Sequence, residues 1–223
     1  MYHQYTPERL EKKAIEILSE YRDGELLKKP MALDVDDFAE FYLKTTIDFA
    51  NLSQDKMTLG CTCFNDGILM VWDDNRKNEK PRQVKKGYIF LDNDLLECGN
   101  EGRIRFTLIH ECAHWILHKR FYYQKSGKPY PIIDCCVFHI EQWSKRPPMT
   151  DDEIREWQAN RLGAALIMPA STLKMFLADR LDINIDNLPN VYFSDDIISE
   201  AAKCFNVSNE AMRNRLRDLD LTE

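Results

Sequence analysis

The feature that most constrains this chain is the run HECAH at residues 110–114, which has the pattern HExxH. Apolar residues at helical spacing surround it and predict a helix over residues 104–121. On a helix, His110 and His114 lie one turn apart on the same face, so both imidazoles can bind one zinc ion. Glu111 lies about 100° around the helix from His110. Glu111 is therefore the candidate base that takes a proton from the attacking water.

The motif needs a third ligand, because a catalytic zinc ion usually takes three protein ligands and keeps a fourth position open. His118 lies on the same face, but it is about 12 Å along the helix axis from His110, too far for three histidines to share one ion. Glu156 is the better candidate. It lies on a helix predicted from about residue 150 to 167, which begins with a predicted capping box of Thr150 and Glu153. Asn160 follows Glu156 one turn later on the same face, where its amide can orient a ligand histidine.

Composition narrows the class of protein. The chain has 223 residues, of which 44% are hydrophobic, and this predicts one globular domain with or without a small appendage. A net charge of -7 argues against general attraction to nucleic-acid phosphates. The seven cysteines include no CxxC pair, so reduced thiols are expected. No apolar run approaches a bilayer-spanning length and no signal-peptide core is visible, so we expect a cytoplasmic protein without a membrane partner.

Local patterns outside the motif predict helices and short strands. Thr6 and Pro7 predict the start of a first helix, which reaches about residue 22. Runs rich in β-branched and aromatic residues predict the strands of a small, mainly antiparallel sheet, at residues 45–51, 58–64, 68–72 and 87–91. Helical spacing predicts three closing helices, at residues 171–181, 194–204 and 208–219.

Three connecting segments also carry predictions. Asn-Asp-Gly at residues 65–67 predicts a hairpin turn between the second and third strands. Residues 74–86, dense in Asn, Lys and Arg, are interpreted as a solvated loop. The proline-containing stretch from about 122 to 149 is too long for a simple connection and is interpreted as an insertion.

Two blocks of sequence resemble a known family. They are RFTLIHECAHWILH at residues 105–118 and EWQANRLGAALIMP at residues 156–169. Both are similar to blocks of the ImmA/IrrE family of zinc metallopeptidases, whose members show RFTxAHELGHxxLH followed by ExxANxFAAxLLMP. The departures are Cys112, Leu162-Gly163 and the long segment 122–149, and none of them removes a ligand.

The resemblance implies an α+β fold, a zincin-like metallopeptidase domain with a small sheet, an HExxH helix and a C-terminal helical region. We expect the catalytic domain to cover residues 1–169, with the insertion at about 122–149. Residues 170–223 are expected to form a C-terminal helical region similar to a helix-turn-helix.

The resemblance also implies a gluzincin-like zinc endopeptidase. By that likeness His110, His114 and Glu156 match the zinc ligands, and Glu111 matches the general base. The implied substrate is a helix-turn-helix transcriptional repressor, whose cleavage relieves repression. The alternatives are a metal-binding, DNA-associated regulator and a toxin-module component, both without proteolysis.

Direct DNA binding is considered for the closing helices, where Arg213, Arg215 and Arg217 lie on the last helix. These positions spread around a helix rather than forming one stripe, and acidic neighbours dilute their charge. Packing is therefore favoured over DNA recognition.

Peptide hydrolysis also needs a donor to stabilise the oxyanion. The candidate side chains for this contact, or for another contact to substrate, are His118, Tyr122, Tyr123 and His139. Residues 87–91 are the candidate strand beside which an extended substrate adds to the sheet.

Overall fold

A computed structural model describes residues 5–97, 99–124, 132–136, 150–184 and 193–222, with residues 132–136 described by their backbone. The helices are α1 (Pro7–Glu20), α2 (Glu25–Lys28), α3 (Val35–Asp37), α4 (Asp94–Glu97), α5 (Glu101–Gln124), α6 (Asp151–Ile167), α7 (Ala170–Leu181), α8 (Asp195–Phe205) and α9 (Asn209–Asp218). A 3₁₀ segment (Tyr21–Gly24) follows α1, and a π-helical segment (Phe38–Tyr42) follows α3. The strands are β1 (Thr46–Ala50), β2 (Thr58–Cys63), β3 (Gly67–Trp72), β4 (Glu79–Val84), β5 (Tyr88–Asp92) and β6 (Ile132–Cys136).

The described residues form two compact units. The sheet unit contains all six strands, α3 to α5 and the start of α6 as far as Asn160. The helical unit contains α1, α2, the rest of α6 from Arg161, and α7 to α9. The boundary predicted near residue 169 separates a catalytic domain from a C-terminal region, whereas these two units are defined by their compactness. The predicted boundary therefore stays a prediction.

The sheet unit is built on four strands in the order β1-β5-β2-β6. β1 and β5 are parallel, whereas β2 is antiparallel to both β5 and β6. β3 and β4 form a separate antiparallel pair. The prediction of an α+β fold with a small, mainly antiparallel sheet is therefore confirmed.

α5 packs on β2 and β5 and so brings the HExxH motif to the sheet. Asn100 caps the start of this helix, its side chain accepting a hydrogen bond from the backbone N–H of Arg103 (3.1 Å). The observed helix is longer at both ends than the predicted range 104–121. Its buried apolar face includes Leu108, Ile109, Cys112 and Ala113.

Three predictions about the strands are wrong. The turn at residues 65–67 does not join a hairpin, because β2 and β3 lie in different sheets. Residues 79–84, inside the predicted loop, form β4, which tolerates Pro81 because it pairs on one side only. β5, the predicted site of substrate addition at 87–91, pairs with β1 on one side and β2 on the other, so it has no open edge.

The segment interpreted as an insertion contains one described strand. β6 pairs with the edge of β2 that faces away from β5, with Ile133 opposite Thr62 and Cys135 opposite Gly60. Among the strands that the structure describes, the edges of the four-stranded sheet are therefore β1 and β6.

The four cysteine side chains that the structure describes form no disulfide with one another: Cys61, Cys63, Cys112 and Cys204. The expectation of reduced thiols stays a prediction. Cys61 and Cys63 are buried in an apolar core of the sheet unit together with Phe90. Burial raises the pKa of the Cys112 thiol well above its usual range, which favours an unreactive, protonated thiol.

In the helical unit, hydroxyl side chains begin helices, as the sequence predicts for Thr6. Thr6 caps α1 and Ser208 caps α9, each accepting a hydrogen bond from a backbone N–H three residues later. The apolar faces of these helices supply the core, which includes Leu10, Leu18, Leu173, Leu177, Phe205 and Leu216.

The arginines of α9 take part in local interactions. Arg215 is 1% exposed, pairs with both carboxylate oxygens of Glu11 and donates to the carbonyl oxygen of Met168 (3.0 Å). Arg213 pairs with Asp195 at the start of α8 (2.8 Å). Arg215 therefore has no surface to offer a phosphate group.

No single helix within the described ranges is long and apolar enough to cross a membrane. α6 and α7 meet that test of length and composition only when they are joined, and they are bent by 52° at their junction.

Candidate metal centre

α5 presents two histidines at one point. The Nε2 atoms of His110 and His114 are 3.0 Å apart, and both side chains are buried. Their spacing of one helical turn places the two rings on the same face. The packing of α5 against β2 and β5 fixes the position of that face in the sheet unit.

α6 brings Glu156 to the same point. Its Oε2 atom lies 3.1 Å from Nε2 of His110, and its Oε1 atom lies 3.2 Å from Nε2 of His114. The start of α6 is fixed by a capping box, in which Thr150 and Glu153 bond to each other's backbone N–H (3.1 and 2.7 Å). This confirms the capping box that the sequence predicts for the helix.

The three side chains fit one metal ion. Their ligand atoms all lie within 4.8 Å of one another, and all three residues are buried. In a tetrahedral zinc site with bonds of about 2.0–2.2 Å, neighbouring ligand atoms are separated by about 3.3 Å. The separations in the structure are close to this value, and two imidazoles with one carboxylate form a donor set that zinc accepts.

The charges of the group favour a cation. Burial opposes the charged form of Glu156, but the charge of His114 and the hydrogen bonds of both histidines outweigh it and lower the pKa of Glu156. Burial likewise opposes the charged form of His110, and there the hydrogen bond and charge of Glu156 outweigh it and raise the pKa. In the metal-free protein, a positive charge is thus stabilised beside Glu156. A metal ion held by His110, His114 and Glu156 would take the place of that proton, because ligand histidines must be deprotonated.

Glu111 projects from α5 towards β2 and is fully buried. The hydroxyl of Thr62 donates a hydrogen bond to Oε2 of Glu111 (2.6 Å). A Cβ atom added at Gly60 would lie 2.5 Å from Oε1 of Glu111, which is closer than real Cβ contacts. β2 therefore accommodates the side chain of Glu111 in two ways. Thr62 donates a hydrogen bond to it, and Gly60 leaves room for it because glycine has no side chain.

Neither Thr62 nor Gly60 was among the residues predicted for the site. The signal was weak, since alternate positions of a strand share one face and both residues are small. Nothing in that pattern specifies that the shared face meets Glu111.

Asn160 lies beside the first ligand histidine. Its Oδ1 atom is 2.9 Å from Nδ1 of His110, whose Nε2 faces Glu156. With the proton on Nδ1, His110 donates to the amide and keeps the Nε2 lone pair for a metal. This geometry is the one expected for the orienting role that the sequence suggests for Asn160.

His118 lies beside the second ligand histidine. Its Nδ1 is 3.0 Å from Nδ1 of His114, and its Nε2 is 3.1 Å from Oε1 of Gln158. Burial and the neighbouring charge of His114 lower the pKa of His118 to about 3. Both ring nitrogens of this neutral histidine therefore face protein partners, and Gln158 is a residue of the site that sequence reasoning missed.

Of the other candidate substrate contacts, the structure describes the side chain of Tyr122. The ring of Tyr122 stacks on Phe64 (centroids 4.7 Å apart), and Phe64 also stacks on Trp115 (5.8 Å). The side chain of Tyr123 and all of His139 lie outside the described residues. The oxyanion role of these residues stays a prediction.

A protein-family model matches a large part of the chain. Residues 72–217, more than half of the chain, match Peptidase_M78, described as the IrrE N-terminal-like domain. The matched region contains the HExxH motif, Glu156, Gln158 and Asn160. A search of curated proteins finds no significant match.

Proposed function

The chain belongs to the Peptidase_M78 family of IrrE N-terminal-like domains, and on this premise we propose that it is a zinc-dependent endopeptidase. Membership supports a metallopeptidase type of function. The observation that carries the proposal is the convergence of His110, His114 and Glu156 on one point beside the buried carboxylate of Glu111. These three residues would hold a zinc ion, which would supply Lewis-acid activation of water and of the peptide carbonyl.

Glu111 is the general base of the proposed reaction. It takes a proton from the attacking water and returns it to the leaving amine once the peptide bond breaks. The hydrogen bond from Thr62 holds one carboxylate oxygen, so the direction of the side chain is fixed before substrate arrives. Such orientation by a buried donor supports a role for Glu111 in proton transfer rather than in metal binding.

Replacing Glu111 with Gln tests this role. Zinc content should be retained, because no ligand is changed, whereas peptide hydrolysis should fall about 10²-fold or more, the usual contribution of a general base. Glu101→Gln, at the exposed start of the same helix, is the matched control and should retain full activity. Hydrolysis by Glu111→Gln at the wild-type rate would rule out this mechanism.

The proposed substrate is a helix-turn-helix transcriptional repressor, and its cleavage would relieve repression. The direct test incubates the zinc-loaded protein with the helix-turn-helix protein encoded beside its gene, with a chelator and Glu111→Gln as controls. Cleavage that requires both zinc and Glu111 is the expected result. Absence of cleavage would contradict this substrate, but it would not contradict the proposal that the protein is a peptidase.

The same incubation addresses the alternatives of a regulator or a toxin-module component. Salt-dependent binding to the operator DNA, with no cut in the repressor, would favour a DNA-associated regulator. The burial of Arg215 counts against a contact of this residue with DNA, because its side chain is engaged by Glu11 and cannot reach a phosphate group. Growth arrest that depends on Glu111 in the absence of any repressor would favour the toxin alternative.

A further inference from the structure

We propose that His118 and Gln158 form a hydrogen-bonded relay that fixes the tautomer and the ring orientation of His114, and that both are positioning residues for the metal site. The inference deepens the proposed function and rests on its metal site. His118 is thereby assigned to the support of a ligand rather than to contact with substrate.

The direction of the relay follows from the position of His114. Its Nε2 faces His110 and Glu156, so this atom must keep its lone pair for the metal and the ring proton must lie on Nδ1. Nδ1 of His114 is 3.0 Å from Nδ1 of His118, which therefore accepts the hydrogen bond. The remaining ring proton of a neutral His118 then lies on Nε2.

Gln158 completes the relay. Its Oε1 atom lies 3.1 Å from Nε2 of His118, where an acceptor is needed. Every link thus has one donor and one acceptor, and all three side chains are buried. If the amide presented its NH₂ group instead, the protons would shift towards His114 and occupy Nε2, the ligand atom. The metal-binding tautomer of His114 therefore requires that an acceptor at position 158 face His118, as the amide oxygen of Gln158 does.

The other ligand histidine has a simpler version of the same support. Nδ1 of His110 reaches the amide oxygen of Asn160 directly, at 2.9 Å. Both ligand histidines are thus held by amide oxygens from α6, the helix that also carries Glu156. For His114 the link is indirect, and His118 connects it to Gln158.

Paired variants at each position separate hydrogen bonding from packing. His118→Asn retains an acceptor near the position of Nδ1, whereas His118→Phe retains the ring without one. Gln158→Glu retains an acceptor, whereas Gln158→Met keeps a similar volume and removes it. Gln83→Met, on the exposed face of β4, is the matched control for loss of an amide.

The measurement is zinc affinity, obtained by competition with a chromophoric chelator at fixed pH. Removal of a group that supports a metal ligand usually lowers metal affinity by about 10- to 100-fold. We expect that loss for His118→Phe and Gln158→Met, and affinity close to wild type for His118→Asn, Gln158→Glu and Gln83→Met.

Cobalt substitution provides a second reading that does not depend on peptidase activity. The visible absorption of Co²⁺ reports the geometry of its ligands, so the bands of His118→Phe should shift and those of His118→Asn should match wild type. Thermal unfolding of each metal-free variant verifies that it is folded.

The outcomes distinguish this inference from the proposed function. Wild-type zinc affinity and an unchanged cobalt spectrum in folded His118→Phe and Gln158→Met would overturn the relay. Equal losses in His118→Asn and His118→Phe would also overturn it, because packing would then be the role of the ring. Failure of the wild-type protein to bind zinc would overturn the metal site and the relay together, whereas zinc binding without hydrolysis would overturn the peptidase alone.

Discussion

At the scale of single residues, the hydroxyl of Thr62 is expected to set the activity of Glu111. Thr62→Val removes the donor to Oε2 of Glu111 while keeping nearly the same volume. A hydrogen bond to a charged group contributes about 1.5–3 kcal/mol, which corresponds to roughly 10- to 100-fold in rate. We expect turnover to fall by about that factor with zinc content unchanged, as measured by peptide hydrolysis and metal analysis.

Thr62→Ser is the matched variant for this prediction, because it restores the hydroxyl and removes only a methyl group. Its turnover should lie near that of wild type. A Thr62→Val protein that hydrolyses peptide at the wild-type rate would show that Glu111 is oriented without this contact.

The residues of the site differ in how far the sequence could identify them. His110, His114 and Glu111 follow from spacing on one helix, which is a local property of the chain. Gly60 matters because α5 approaches β2 closely at this position. The sequence pattern of a strand does not indicate which helix will pack against it. Gln158 is hidden for the same reason, since its partner His118 lies on another helix.

At the scale of structural elements, a buried ion pair anchors the connection between β3 and β4 to the end of β5. Arg76 donates to Oδ2 of Asp92 at 3.1 Å, and these side chains are 8% and 0% exposed. Loss of one partner from a buried pair costs about 3–5 kcal/mol, because the remaining charge stays buried. Arg76→Met should lower the free energy of unfolding by about that amount, as measured by urea denaturation.

An exposed ion pair provides the control for the Arg76 prediction. Arg213 and Asp195 form a pair whose side chains are 39% and 77% exposed. Pairs of this kind contribute less than about 1 kcal/mol, so Arg213→Met should change stability little. If Arg76→Met and Arg213→Met lost equal free energy of unfolding, burial of Asp92 would not be the reason for the loss in Arg76→Met.

The elements themselves were predicted where local signals suffice. Thr150 and Glu153 form the expected capping box, and apolar spacing identified α5 and the closing helices. Strand pairing was predicted less well, because it depends on partners that are distant in sequence. Residues 65–67 have hairpin composition yet separate two sheets, and β4 is polar enough to resemble a loop because it belongs to an exposed two-stranded sheet.

At the scale of the whole molecule, metal binding and folding are expected to be linked. The three proposed ligands come from α5 and α6, and they converge only in the folded chain. A ligand that binds only the folded state adds about 2.7 kcal/mol of stability when its free concentration is 100 times its dissociation constant. Zinc should therefore raise the melting temperature, and a chelator should reverse the effect.

The size of this zinc effect should depend on pH. The pKa of His110 is raised in the metal-free protein, since Glu156 outweighs the opposing effect of burial. The proton on His110 therefore stabilises the metal-free fold fully below the pKa of the unfolded chain, and this contribution is lost as pH rises through the raised pKa. Zinc needs the deprotonated ligand, so the stability that it adds should increase over about pH 5 to pH 8.

Melting temperatures of zinc-loaded and chelator-treated protein, measured at several pH values, test this expectation. Glu156→Gln should abolish most of the difference at every pH, because the variant loses a charged ligand. The difference should narrow towards acid pH in the wild-type protein, where protons compete with zinc for the two histidines. A zinc effect of constant size across this range would contradict the assignment of His110 as a ligand, whereas an effect that persists in Glu156→Gln would locate the bound zinc at other residues.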